Sequence, residues 1–165
     1  MPFEKTIELV NGLFKPGIAF FKTRPGANNA LRVAALEEMV GRLEDVAAAM
    51  VDPNLKVALF EFGLTPQMFY AFDCAPLCLE TYPSVFTSNK KEVVYEFITA
   101  AEEAGAPSDV CSTDRFILGA ALCGEMPDNS FFVTSSSPCD GTRIAYPIMK
   151  KILEIPIQYI EAPYT

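Results

Sequence analysis

The chain has 165 residues, half of them apolar, with 13 basic side chains against 21 acidic ones and a formal charge of −8. This composition belongs to a folded chain with enough apolar material for one real core, and it argues against a nucleic-acid binder, whose affinity rests on clustered Lys and Arg. Histidine is absent, which excludes Ser-His and Cys-His nucleophile pairs and any His-ligated zinc or haem.

Residues 1–27 read as an N-terminal arm or accessory segment. Their apolar run Gly17-Ile18-Ala19-Phe20-Phe21 lies between Lys-Pro-Gly and Arg-Pro-Gly turn signals and is expected to form a strand or packing arm. Residues 28–165 read as one α/β domain. Asn28 or Asn29 is placed to cap a helix reaching Val51, with Leu36, Met39, Val40, Leu43, Val46, Ala47 and Met50 on its inner face, and Asp52-Pro53-Asn54 stops it. Lys56 to Phe62 is a short apolar run that fits a buried parallel strand. A helix from Pro66 to Phe72 and a loop holding Pro76 and Pro83 follow.

The spacing of Val93, Val94, Phe97, Ile98 and Ala101 predicts a second long helix over 90–104, capped by Ser88 or Asn89 and closed by Gly105. This helix and the one ending at Val51 are expected to cover the sheet. Another helix spans 112–123, capped by Ser112 or Thr113. Ser130–Thr134 reads as a strand, Thr142–Leu153 as a helix and Ile155–Ile160 as a last strand. Alternation of strands and helices across short loops predicts an α/β, Rossmann-like layered fold with a short parallel sheet flanked by helices. The tail Glu161-Ala162-Pro163-Tyr164-Thr165 has a loop composition. It reads equally as an edge-strand tail or as the start of a connection to further structure.

Five cysteines, an odd number, do not resemble a secreted disulfide framework. The opening Met1-Pro2-Phe3-Glu4-Lys5 has no basic segment followed by an apolar one. No apolar stretch approaches the ~20 residues of a membrane span. A reduced, cytoplasmic protein is the expectation.

Cys139 lies after a strand and before a helix, at the edge where ligands of open α/β sheets collect. Cys111 directly precedes another helix. A helix N-terminus favours negative charge, and the thiolate is the form that binds iron or attacks an electrophile. From the residues alone, small semi-buried thiols that pack well are the favoured reading of both. Cys74 and Cys78 flank Pro76, which disfavours a shared helix face, so core packing is expected for them; Cys123 is also read as structural. Ser135-Ser136-Ser137 reads as a turn rather than an anion nest, and Arg115 and Arg143 are each as compatible with a surface role as with an anion partner. No G-x-G-x-x-G or P-loop pattern is present.

Four segments together resemble the 2-hydroxyacyl-CoA dehydratase and benzoyl-CoA reductase subunit superfamily, which includes double-cubane cluster proteins. They are Val57–Phe62 with Thr65–Phe72, Asp109-Val110-Cys111-Ser112-Thr113-Asp114-Arg115, Pro138-Cys139-Asp140-Gly141, and Ile155-Pro156 with Glu161-Ala162-Pro163-Tyr164. The order and spacing agree over about residues 55–165, the N-terminal domain of such subunits. The resemblance implies Cys111 and Cys139 as ligands of an iron–sulfur cluster, of four-iron or double-cubane type. It implies a 2-hydroxyacyl-CoA substrate reduced to a ketyl radical anion that loses its hydroxyl group. The implied partners are an ATP-hydrolysing activator and a second dehydratase subunit or C-terminal domain. If catalytic, the chain would act as a lyase. A reductase or electron-transfer module and a scaffold without chemistry are the alternatives.

The sequence departs from the family pattern in two ways. Gln67 stands where the motif has Glu. Family subunits also continue into a second α/β domain that supplies a further cysteine. Cys111 and Cys139 would give a cubane half of its four protein ligands, so the chain alone is expected to hold one poorly.

Overall fold

The computed structural model describes residues 2–135 and 139–161. Among them, Lys56–Phe60 (β1), Cys74–Cys78 (β2), Ser130–Ser135 (β3) and Ile157–Ile160 (β4) form one sheet in the order β2-β1-β3-β4. Every pairing is parallel. The chain leaves β1 outward to β2 and then crosses back to β3, so the topological switch point lies between β1 and β3. Alternation along the strands divides the side chains. Val57, Leu59, Ala75, Leu77 and Phe132 enter the main core, and Ala58, Phe60 and Val133 enter a smaller one behind it. This is the layered parallel α/β arrangement that the sequence predicts.

The helices are Glu4–Leu9 (α1), Lys15–Lys22 (α2), Ala27–Val51 (α3), Pro66–Tyr70 (α4), Ser84–Thr87 (α5), Lys91–Glu103 (α6), Ser112–Leu122 (α7) and Asp140–Leu153 (α8). Helix α3 buries Val40, Leu43, Val46 and Ala49, a three-residue step that lays one stripe on β1 and β2. Leu36 and Val94 are only half-buried. Phe69 of α4 stacks on Phe60 at 4.8 Å and covers the back of the sheet. Gly105, at φ 102°, ends α6, and Ala106 N–H returns to the Ala101 carbonyl. That is the left-handed closure for which glycine is suited. No helix among the described residues is long and apolar enough to cross a membrane.

Several elements differ from expectation. Helix α6 does not lie on the sheet; it packs across α7, where Gly119 meets the Phe97 backbone carbonyl so closely that a Cβ would overlap it. The segment around Pro76 is a strand. Pro76 is tolerated because β2 is an edge strand and needs hydrogen bonds on one side only. Residues 4–22 are helical, with a π-helical turn over Val10–Phe14 that joins α1 and α2. Lys15 N–H reaches the Val10 carbonyl five residues back, a widening that admits Pro16, which has no N–H of its own to donate. Phe3, Leu9, Val10 and Phe14 join the main core. Strand β1 ends at Phe60, so Glu61 and Phe62 lie beyond it.

Candidate functional site

The carboxyl ends of the strands gather a set of acids that hold the rim together. Glu61, the first residue after β1, accepts hydrogen bonds from Thr134 Oγ1 at 2.8 Å and from the Ser135 N–H at 3.0 Å. It therefore bridges the switch point. Glu80, two residues beyond β2, accepts from the Phe62 N–H at 2.9 Å and from the Tyr146 hydroxyl of α8. Burial pushes the Glu80 carboxyl up, and the Tyr146 hydrogen bond opposes that shift. The Tyr146 phenol is itself raised far above its ordinary range by burial and by the charge of Glu80. Asp114, in the first turn of α7, is buried, and its Oδ2 has no hydrogen-bond partner. Burial, followed by the charge of Glu80, pushes its carboxyl up to about 6.

The two candidate cysteines cap the helices beside these acids. Cys111 is the N-cap of α7 and Cys139 that of α8, and both are exposed. Each accepts the first helical hydrogen bond on its carbonyl, from the Arg115 N–H at 3.1 Å and the Arg143 N–H at 3.2 Å. The expected caps Ser112 and Thr113 instead lie inside the first turn of α7. The two helix starts meet at Asp114 and Gly141. A Cβ at Gly141 would overlap Asp114 Oδ2 and stand 3.7 Å from Cys139 Sγ. Cys139 Sγ also lies 3.6 Å from Thr142 Oγ1.

The remaining cysteines do not share this corner. Cys123 caps the far end of α7, an 11-residue helix, which puts it roughly 18 Å along the helix from Cys111. It is exposed there, and partial burial followed by the charge of Glu96 raises its thiol. Cys74 begins β2 and Cys78 ends it; both pack half-buried against the smaller core. Cys78 Sγ lies 3.8 Å from Glu80 Oε2, and burial pushes this thiol up.

Arg115 does not face the corner as an anion partner. Its guanidinium donates to the Val110 carbonyl at 3.0 Å and pairs with Glu102. Arg143 is exposed. Gln67 lies exposed on α4, accepting from the Thr65 hydroxyl. The Ser135 N–H is taken by Glu61; Ser136, Ser137 and Pro138, like Ala162, Pro163 and Tyr164, lie outside the described residues.

Sequence reasoning singled out Cys111 and Cys139 but missed Glu80, Asp114 and Tyr146, and it placed Glu61 inside a strand. One signal was present: a carboxylate at the end of an apolar run, a position that needs partners if buried.

The donor set tests whether these residues suit an iron–sulfur cluster. Two thiols stand at neighbouring helix starts, and no group of three or more His, Cys, Asp or Glu among the described residues is arranged to hold a metal. Glu61 and Glu80 are committed to strand-end hydrogen bonds. Among the described residues, Cys111 and Cys139 are the two thiols of this corner.

A four-stranded parallel sheet flanked by helices defines a layered α/β domain of the open-sheet class. The model of the 2-hydroxyglutaryl-CoA dehydratase D-component family matches residues 65–165. That covers more than half of the chain, and the chain belongs to this family. No curated protein and no solved structure matches it.

Proposed function

We propose that this component of a 2-hydroxyacyl-CoA dehydratase-type system supplies two thiolates, from Cys111 and Cys139, to an iron–sulfur cluster whose other ligands come from outside these residues. The observation that supports the reading is the meeting of α7 and α8 at Asp114 and Gly141, in the first turns of the two helices that Cys111 and Cys139 cap. When bound, such a cluster supplies low-potential electron transfer to the acyl thioester. The chain's own contribution is to present two thiols at helix N-termini, where negative charge is favoured. Glu80, Tyr146 and Glu61 tie the strand ends beneath them into one rigid rim. An ATP-hydrolysing activator and a second subunit or domain are the partners this reading requires. A cytoplasmic, reducing setting suits the free thiols.

Anaerobic purification with iron and sulfide analysis tests this directly. Little iron is expected on the chain alone and a stoichiometric cluster with the second subunit present, falling sharply in Cys111→Ser and Cys139→Ser. A stable cluster on the chain alone, or iron content indifferent to both substitutions, overturns it. A second reading, a scaffold that has lost the chemistry, draws on Gln67, an amide where the family motif carries an acid. It expects no iron under either condition. Binding of a 2-hydroxyacyl-CoA to the loaded assembly separates the dehydratase from a reductase or electron-transfer module.

A further inference from the structure

Helices α7 and α8 begin on the same pattern. Cys111-Ser112-Thr113-Asp114-Arg115 and Cys139-Asp140-Gly141-Thr142-Arg143 each place a cysteine at the N-cap, a buried polar residue at the third helical position and an arginine after it. The third helical residue lies beside the cap, within reach of its backbone. In α7 that residue is a carboxyl, Asp114, and in α8 a hydroxyl, Thr142. They are 1% and 3% exposed, so neither side chain is free to swing out into solvent.

The Thr142 hydroxyl stands between two groups of Cys139. It donates to the Cys139 carbonyl at 2.9 Å, and its oxygen lies 3.6 Å from Cys139 Sγ. While the sulfur is a thiol both contacts are satisfied, the S–H donating to Oγ1 and the O–H to the carbonyl. Loss of the thiol proton, to solvent or on binding a metal, removes one donor and leaves the Oγ1 lone pairs facing a negative sulfur. A hydroxyl has a single hydrogen, which rotates to suit its partners. Turning it to the sulfur does not orphan the carbonyl, because the Arg143 N–H also donates there, at 3.2 Å. In α7 the corresponding carboxyl, when ionised, has no hydrogen to give, and its Oδ2 lies against Gly141 of the other helix.

We infer that Thr142 is a positioning residue for Cys139: its hydroxyl turns from the cap carbonyl to the sulfur when the thiol proton leaves, and so orients and stabilises the thiolate. Cys111 acts without this support, and the two thiols of the corner are therefore unequal. The inference rests on the proposed role of Cys139 as an iron ligand, since hydrogen bonds to ligand sulfur help to set the potential of a cluster. The hydrogen bond itself can be tested without iron.

Alkylation of the full, iron-free chain with iodoacetamide at one near-neutral pH, followed site by site by mass spectrometry, reads Cys139 and Cys111 in the same sample. Thr142→Val keeps the shape of the side chain and removes the hydroxyl. It is expected to slow Cys139 by roughly threefold or more, a muted effect because a less stabilised thiolate is also the better nucleophile. The Cys111 rate is expected to stay unchanged. Thr142→Ala gives the same loss without a branched side chain, and Thr142→Ser restores the Cys139 rate. A Cys139 rate indifferent to Thr142→Val and Thr142→Ala overturns the inference. So does equal slowing of Cys111, or failure of Thr142→Ser to restore the rate. In the iron-loaded assembly with the second subunit, Thr142→Val is expected to move the reduction potential to more negative values at unchanged iron content, and an unmoved potential counts against the hydrogen bond to sulfur. Absence of iron from the wild-type assembly removes the cluster reading and leaves the alkylation result standing.

Discussion

The carboxyl of Asp114 occupies the space where a side chain at Gly141 would stand, so the first turns of α7 and α8 fit together only because residue 141 has no Cβ. Two opposing effects make this contact measurable. Glycine in a helix costs roughly 1 kcal/mol relative to alanine, whereas forcing a methyl group into a packed contact costs about 1–3 kcal/mol. Gly141→Ala is therefore expected to destabilise the chain in urea unfolding. The same substitution in an Asp114→Ala background is expected to be neutral or stabilising. A double-mutant cycle showing no coupling between the two positions would remove the contact from the account.

The Asp114 carboxyl also sets an unusual pH dependence. Its value in the folded chain, about 6, lies above its ordinary 3.8, because burial and Glu80 penalise the charged form. The folded state then binds a proton that the unfolded state has released, so this group's contribution falls as pH rises from about 4 to 6. Glu80 and Glu125 are raised as well, chiefly by burial, and act in the same direction. Stability of the metal-free chain is expected to decline across that window by an amount on the order of 1–3 kcal/mol from Asp114. Asp114→Asn should flatten the decline. A wild-type stability that rises between pH 4 and 6, with no change in Asp114→Asn, would contradict the burial argument.

The crossing of α6 on α7 is less forgiving than the contact at Gly141, because the obstacle to a Cβ at Gly119 is the Phe97 backbone. A side chain can rotate away, whereas a helical carbonyl cannot. Gly119→Ala is expected to cost about 3 kcal/mol or more, at least as much as Gly141→Ala. Leu43, 5% exposed on the stripe of α3 that covers the sheet, provides the comparison. Leu43→Ala is expected to lose about 2–5 kcal/mol through its cavity. Thermal melts of the two variants check both values. Unimpaired stability in Gly119→Ala would mean that α6 sits differently.

The difference between what was legible and what was not lies in the range of the interactions. Helices α3, α6 and α7 and strands β1 and β3 are written in local periodicity, and Gly105 marks the end of α6 where φ is positive. Pro76 misled because a proline is a breaker only where both sides of a strand need hydrogen bonds, and edge position is a property of the whole sheet. The helical start of the chain was hidden by Gly12, Pro16 and Gly17, which a π-turn absorbs. Cys111 and Cys139 were visible from their place before helices. The acids beside them were not, because Glu61 meets Thr134, Glu80 meets Tyr146 and Asp114 meets Gly141. No local spacing encodes partners that far apart.

Tyr146 is the donor that makes an ionised Glu80 tolerable at the rim. Burial raises the Glu80 carboxyl, and the Tyr146 hydroxyl and the Phe62 N–H pull it back. Tyr146→Phe keeps the ring that stacks on Phe132 at 5.1 Å but removes the donor. The carboxyl is then pushed further up, and its charged form is left with fewer partners. A hydrogen bond to a charged group contributes about 1.5–3 kcal/mol, so a loss of that order is expected above the folded-state value of Glu80, where the group is ionised. The loss should shrink as pH falls through that value, because the protonated acid needs the donor less. Glu80→Gln is expected to make Tyr146→Phe cheaper at high pH, since an amide carries no charge to stabilise. Urea unfolding of the three variants at low and high pH measures this directly. A Tyr146→Phe cost that stays constant with pH would show that the hydroxyl serves packing of α8 and not the carboxylate.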